Sequence, residues 1–74
     1  MKLSELKPNE SAIVKKINCE KKLKTRLGYL GLTEGVKITL IKFAPLKDPV
    51  EISVRGFCLA IRVSTAEKIE VEKV

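Results

Sequence analysis

The sequence predicts a mainly β fold: a small barrel of about five short strands with one inserted α-helix. Two observations support this prediction. Apolar and polar residues alternate along most of the chain, which is the periodicity of half-buried strands. Three of the four glycines lie between Gly28 and Gly35, where a helix must end abruptly and a strand must begin.

The N-terminal part predicts one helical turn followed by a strand. Leu3 and Leu6 are three residues apart and precede a Pro-Asn turn, so we expect a single turn there. Residues 11–17 (SAIVKKI) are typical of a strand whose alternation slips at Lys15 and Lys16. A β-bulge would explain the slip.

The segment from 20 to 30 predicts the helix. Leu23, Leu27 and Leu30 fall at i, i+4 and i+7, which places them in one stripe of a helix. Gly31 is expected to close the helix in the left-handed conformation. Gly28 lies inside the helix, where glycine costs roughly 0.5–1 kcal/mol relative to alanine. Either another backbone passes close to Gly28 or the helix tolerates a weak spot, and the sequence does not decide between these explanations.

The rest of the chain predicts strands joined by short turns. Gly35 is expected to supply the positive φ of a turn before an alternating strand at residues 36–40. Residues 50–54 alternate cleanly, and Arg55-Gly56 is a hairpin turn. The return strand is expected to bury, on one face, Phe57, Leu59, Ile61 and Val63. Residues 64–67 have the S-x-x-E spacing of a capping box, which opens one helical turn before a last strand from Ile69.

Strands this few and short favour closure into a barrel. A flat sheet would expose an apolar face and two edges, whereas a curled sheet buries the face and removes most of the edge. An SH3-like barrel is the economical solution, and we expect a single domain over residues 1–74. The chain has neither the apolar run of a membrane span nor the apolar block of a signal peptide, so a cytoplasmic location is expected.

Composition favours a binding module over an enzyme. The chain contains no histidine, which removes the commonest general base and a common metal ligand. No phosphate-binding glycine loop is present. Cys19 and Cys58 are far apart and are interpreted as two small buried hydrophobes, with a redox or metal role as the alternative. We therefore expect no catalytic residues, no cofactor and no metal site.

The net charge of +6 favours an acidic partner. On the predicted helix, Lys22, Arg26 and Tyr29 form one row at i, i+4 and i+7, with Lys21 and Lys24 expected on the opposite flank. Tyrosine and arginine are over-represented at protein interfaces, so these five residues are the candidate partner-binding site. A solvated helix face whose lysine stems cover the core is the alternative interpretation.

Nucleic acid is a second class of acidic partner, but the sequence disfavours it. Lysines supply charge without reading bases. Binding of single strands also uses aromatic stacking platforms, and Tyr29 is the one credible platform in this chain. Self-association through an exposed strand edge is a third reading, so we expect a monomer or a weak oligomer.

Four motifs in order resemble the FeoA family. They are the Leu3-x-x-Leu6 start, RLGYLGLTEGVKI from Arg26, DPVEISVRGFCLAIR from Asp48, and the Ala66-x-x-Ile69-x-Val71 end. The resemblance runs essentially from one end of the chain to the other. It implies an SH3-like barrel and a role in bacterial ferrous iron uptake, as a small cytosolic accessory of FeoB.

The implied partner is a membrane transporter with a cytosolic GTP-binding domain, so this chain would meet the membrane only through that partner. Domains of the family also occur as the C-terminal module of metal-dependent repressors, and a stand-alone relative of that module is the alternative that the resemblance implies.

Overall fold

The computed structural model describes residues 1–74. After a 3-10 turn at Leu3–Glu5 come β1 (Ser11–Ile17), α1 (Lys21–Tyr29), β2 (Lys37–Phe43), β3 (Val50–Val54), β4 (Phe57–Ile61), α2 (Val63–Ala66) and β5 (Ile69–Lys73). The strands form one antiparallel sheet in the order β4-β3-β2-β1-β5. The predicted mainly β architecture, with five strands and one helix inserted after the first, is confirmed.

The core is entirely aliphatic. Sixteen residues are buried, and none of them is polar or charged. In β3, Val50, Ile52 and Val54 alternate inward because successive strand side chains point to opposite faces. Leu3 and Leu6 of the N-terminal segment are also buried, and the 3-10 turn that carries Leu3 lies against β5 and α2.

Two irregularities in the strand register help the sheet to curl. The first lies between Val14 and Lys16, where the pairing of β1 with β5 shifts, and it confirms the predicted bulge. The second lies between Leu40 and Lys42 in β2, where the pairing with β3 shifts. A bulge bends its strand and increases the local twist, so both shifts favour a barrel over a flat sheet.

Helix α1 ends as the glycine pattern predicts. Gly31 has φ +94°, the left-handed conformation that a side chain disfavours. Its N–H donates to the Gly28 carbonyl at 3.0 Å, and the Leu32 N–H donates to the Leu27 carbonyl at 2.9 Å. These two bonds form a Schellman motif, and the Leu32 side chain that follows is fully buried. The end of α1 is therefore pinned to the core by Leu32.

Gly28 itself is not closely packed. A Cβ built on it would meet only the Thr33 Cγ2 methyl, at 3.8 Å, which is an ordinary van der Waals contact. No backbone passes close to it, so the structure favours the second explanation, a tolerated weak spot in the helix.

The β3–β4 hairpin turns at Arg55-Gly56, as predicted. Both residues have positive φ, 51° for Arg55 and 85° for Gly56, which is the type I′ geometry of two-residue hairpins. Beyond β4 the prediction fails in part. Val63 begins α2 instead of extending the strand, and no side chain caps that helix from its N-cap, Arg62. The Asp48 carboxylate accepts the Val63 N–H at 3.2 Å, so a distant loop residue replaces the predicted capping box.

The two edges of the sheet differ. Along β5, Met1 and Lys2 run beside the strand: the Val71 N–H donates to the Met1 carbonyl at 2.8 Å, and Lys2 forms a bridge with Glu70. Strand β4 has a neighbour only on its β3 side, and it does not pair with β5. The barrel is therefore open at β4.

Neither helix has the length and apolar composition needed to cross a membrane.

Candidate partner-binding surface

One flank of α1 carries four of the five predicted site residues. Lys21, Lys22, Arg26 and Tyr29 lie together there, around Thr25. Tyr29 is 87% exposed, so almost all of its ring is available to a partner. We call Lys21, Lys22, Arg26 and Tyr29 the helix row. The spacing of four and three residues places Lys22, Arg26 and Tyr29 on one face because an α-helix has 3.6 residues per turn, and the structure adds Lys21 at the edge of that face.

Lys24 does not belong to this face. Its ammonium group lies 3.4 Å from the Glu34 carboxylate, in the turn before β2. The Glu34 carboxylate also accepts the backbone N–H of Ile17 at 3.4 Å. That hydrogen bond, followed by the one from Lys24, lowers the pKa of Glu34. The expectation that Lys21 and Lys24 share a flank was wrong, because Lys21 lies in the helix row and Lys24 helps to hold α1 against β1.

The predicted leucine stripe of α1 is only partly buried. Leu27 is 4% exposed, Leu23 is half-buried, and Leu30 is 48% exposed. Leu30 is less covered than the spacing predicts because the chain turns away at Gly31, so that Leu32 enters the core in its place.

An apolar cleft continues from the exposed end of α1 onto β4. One part of it is lined by Tyr29, Leu30, Phe57, Cys58 and Leu59. The adjoining part, with a volume of about 330 Å³, lies between the α1 leucines (Leu23, Leu27 and Leu30), Arg26, the β4 residues 59–61, Arg62 and Thr65. We call these two parts together the α1–β4 cleft. Sequence reasoning missed it.

Two residues of the cleft correct the sequence analysis. Phe57 was expected in the core but is 72% exposed. Cys58 is exposed, so its interpretation as a buried hydrophobe was wrong, whereas Cys19 is partly buried and packs against the core. Phe57 lies on the inward-facing side of β4, in register with Leu59 and Ile61, but at the end of an edge strand where nothing covers it. Its position directly after the hairpin turn was the one signal in the sequence.

The charges around the cleft are positive and unpaired. The chain has three arginines. Arg26 and Arg62 line the cleft, and the stem of Arg55 lies over Gly31, 3.3 Å from where a Cβ would stand. All four ion pairs in the molecule use lysines instead, at Lys15, Lys24, Lys42 and Lys73. The guanidinium groups are therefore free to meet carboxylates from outside the chain.

The structure brings together no group of three or more Cys, Asp or Glu side chains that could hold a metal ion.

Comparison with known proteins gives matches along nearly the whole chain. The FeoA domain family matches residues 1–73. A curated fusion of Fe(2+) transport protein A with the Fe(2+) transporter FeoB, from Porphyromonas gingivalis, is 33% identical over 72 residues, which are 97% of this chain. The chain spans only 8% of that fusion protein.

Solved structures agree with this match. The solution structure of the FeoA protein from Chlorobium tepidum superposes with a TM-score of 0.96 at 42% identity, covering 100% of this chain and 70% of that one. The zinc complex of Stenotrophomonas maltophilia FeoA, described as a prokaryotic SH3 domain protein, has a TM-score of 0.78 at 28% identity, covering 97% of this chain and 89% of that one. The predicted SH3-like fold and the family resemblance are both confirmed. The chain belongs to the FeoA domain family.

Proposed function

We propose that this chain is a non-enzymatic accessory protein of ferrous iron uptake. In this proposal it binds the cytosolic part of a FeoB-type transporter, including its GTP-binding domain, and acts at the cytoplasmic face of the membrane. The observation that carries the proposal is the Porphyromonas gingivalis relative, in which a segment similar to this chain and a FeoB transporter are one polypeptide.

The fusion supports a functional contact between the segment similar to this chain and the FeoB transporter. Linking two modules makes their association intramolecular, with an effective concentration in the millimolar range for short flexible linkers. An unlinked chain has no such advantage, so its own surface must supply the affinity. An exposed tyrosine beside arginine and lysine, as in the helix row, has the composition of binding hot spots.

The proposed mechanism is conformational preference. An accessory protein changes the nucleotide cycle or the open state of a transporter only by binding one of its conformations more tightly than another. The helix row requires no chemistry of its own for this role. It needs a rigid mounting, which Leu27 and the Schellman motif at Gly31 provide.

Binding to the purified cytosolic domain of the transporter tests the proposal. We expect the Arg26→Ala/Tyr29→Ala double variant to weaken binding at least tenfold, since two hot-spot side chains are truncated together. Isothermal titration calorimetry with GDP-loaded and GTP-analogue-loaded domains would measure the affinity and the preference between nucleotide states.

Lys2→Ala is the matched control. Lys2 is exposed, forms no ion pair and lies beside β5, away from the helix row. The Lys2→Ala substitution removes one positive charge, as the double variant does. This control variant is expected to bind the domain with the affinity of the natural chain. Equal affinity for the natural chain and a folded double variant would remove the helix row from the proposal.

Nucleic acid binding is the second candidate, favoured only by the net charge of +6. It predicts retardation of mixed-sequence oligonucleotides at low salt and a steep loss of binding as salt rises. Absence of retardation at low salt would exclude nucleic acid binding.

A further inference from the structure

We infer that the α1–β4 cleft receives an extended, acidic segment of a protein partner, which pairs with β4 as an additional strand. The proposed function places a partner on the helix row. The inference adds a second contact surface, a mode of binding and the chemistry of the ligand, and it rests on the proposed function only for the source of that segment.

The first support is the unpaired backbone of β4. In a two-residue hairpin the residues next to the turn, Val54 and Phe57, exchange hydrogen bonds, and the bonding then alternates along the strands. Cys58 and Ala60 therefore direct their N–H and C=O groups away from β3. Neither residue takes part in any turn, loop or side-chain hydrogen bond. A new strand would satisfy these groups.

The second support is the apolar lining beside this edge. Leu30 and Phe57 are 48% and 72% exposed, and Leu59 is half-buried. Alternate side chains of an added strand point to opposite faces, so one set would cover these three residues. A peptide-binding edge commonly combines main-chain hydrogen bonds with pockets for alternate side chains, and the α1–β4 cleft supplies both.

The third support is the placement of arginine. Two of the three arginines, Arg26 and Arg62, line the cleft, and none of the three forms an ion pair. Arginine binds carboxylates through two parallel N–H bonds, whereas lysine acts as a point charge. Asp48 shares a hollow with Arg62 but uses its carboxylate to cap α2. The segment that fits therefore alternates apolar and acidic residues.

A second copy of this chain fits less well. Pairing β4 with β4 of another molecule around a two-fold axis would bring Arg55 of each copy towards Arg62 of the other. Like charges placed opposite each other are destabilising. Nucleic acid also fits less well, since a phosphate backbone offers neither the alternating donors and acceptors of a strand nor apolar side chains for the lining.

The experiment uses the full chain labelled with 15N and a blocked heptapeptide of alternating glutamate and valine. We expect the Cys58 and Ala60 amides to exchange with solvent at least about tenfold more slowly when the peptide is bound, because new hydrogen bonds protect them. The same peptide with lysine in place of glutamate is expected not to bind.

Ala60→Pro separates strand pairing from charge attraction. Proline removes the outward N–H of Ala60 and is tolerated on edge strands where that group faces solvent. We expect it to weaken peptide binding about threefold to tenfold, the loss of one backbone hydrogen bond. Ala60→Val keeps the N–H and is the matched control, with unchanged binding expected. Should the proline variant fail to fold, Arg62→Gln gives the second test, with Lys2→Gln as its control.

The same variants are then measured against the transporter's cytosolic domain. Binding of that domain with undiminished affinity by folded Ala60→Pro and by Arg62→Gln would overturn the inference and leave the proposed function standing. Amide protection by the glutamate peptide without any binding of the domain would leave the inference standing and overturn the proposed function.

Three further results would also overturn the inference. The first is equal binding of the glutamate and lysine peptides. The second is a dimer in sedimentation that Ala60→Pro dissociates. The third is protection of the Cys58 and Ala60 amides by a mixed-sequence oligonucleotide.

Discussion

Each edge of the sheet has backbone N–H and C=O groups that no neighbouring strand pairs, and the two edges differ in how these groups are covered. The first residues of the chain run along β5 and form backbone hydrogen bonds with it. The residue that follows them, Leu3, is buried in the core. Strand β4 has no such cover, and its apolar residue Phe57 stays in solvent. A strand edge left open is a template for pairing with another chain. From this difference we predict that β5 contributes more to the stability of the domain than β4 does, and that β4 is the edge open to a partner.

The largest expected effect tests where stability lies. Leu3→Ala should cost about 2–4 kcal/mol of unfolding free energy, because Leu3 is fully buried and its loss leaves a cavity. Phe57→Ala, which truncates a larger side chain at the open edge, should change stability by less than about 0.5 kcal/mol. Urea unfolding followed by circular dichroism measures both. Equal losses in the two variants would contradict the contrast between the edges.

The second effect compares the edges in the free chain. The Val71 amide, which donates to Met1, should exchange with solvent about a hundredfold more slowly than the Cys58 and Ala60 amides, which face outward. Hydrogen exchange followed by NMR measures all three residues in one sample. Comparable protection of Cys58 and Val71 would mean that β4 is already covered.

The third effect concerns α1, the helix that borders the open edge. Gly31→Ala should cost about 1–2 kcal/mol, because φ is +94° there and the stem of Arg55 lies close. Gly28→Ala should instead stabilise the domain by about 0.5–1 kcal/mol, since a methyl group meets only Thr33 at 3.8 Å. Thermal and urea unfolding of the matched pair test this. A destabilised Gly28→Ala variant would show that glycine is needed inside the helix.

The smallest effect is a dependence on pH, from one carboxylate beside β5 (Glu10) and one between α1 and β1 (Glu34). Hydrogen bonds from Lys73 and then the Lys7 N–H lower the pKa of Glu10, and those from the Ile17 N–H and then Lys24 lower the pKa of Glu34. A lowered pKa in the folded state adds stability that is fully present above the unfolded value and is lost as the pH falls through the folded value. Stability should therefore begin to fall below the ordinary pKa of 4.5.

Glu10→Gln and Glu34→Gln separate the two contributions. Each substitution should reduce the loss of stability on acidification, measured as the difference between the urea midpoints near pH 7 and near pH 3. Because Glu34 is exposed and Glu10 is only partly buried, the effects are expected to be small and to decrease with salt. If the double variant loses as much stability at low pH as the natural chain, the loss comes from other carboxylates.

Local signals determined most of the architecture. The slip at Lys15-Lys16 marked the bulge, Gly31 marked the end of α1, and Arg55-Gly56 marked the hairpin. Each of these features depends on backbone conformation over a few residues, which side-chain type controls directly. The shared face of Lys22, Arg26 and Tyr29 also followed from helical spacing alone, whereas the place of Lys21 beside them did not.

Only the tertiary structure decided which apolar residues are covered and which charges are free. Periodicity places Phe57 on the inward face, but whether another element reaches it depends on where β4 lies in the sheet. Likewise, helical spacing separates Lys24 from Arg26, but it does not show that Lys24 meets Glu34 or that Arg26 lines the α1–β4 cleft. Burial and pairing depend on neighbours distant in the chain, and for that reason the cleft became visible only once the strands were placed.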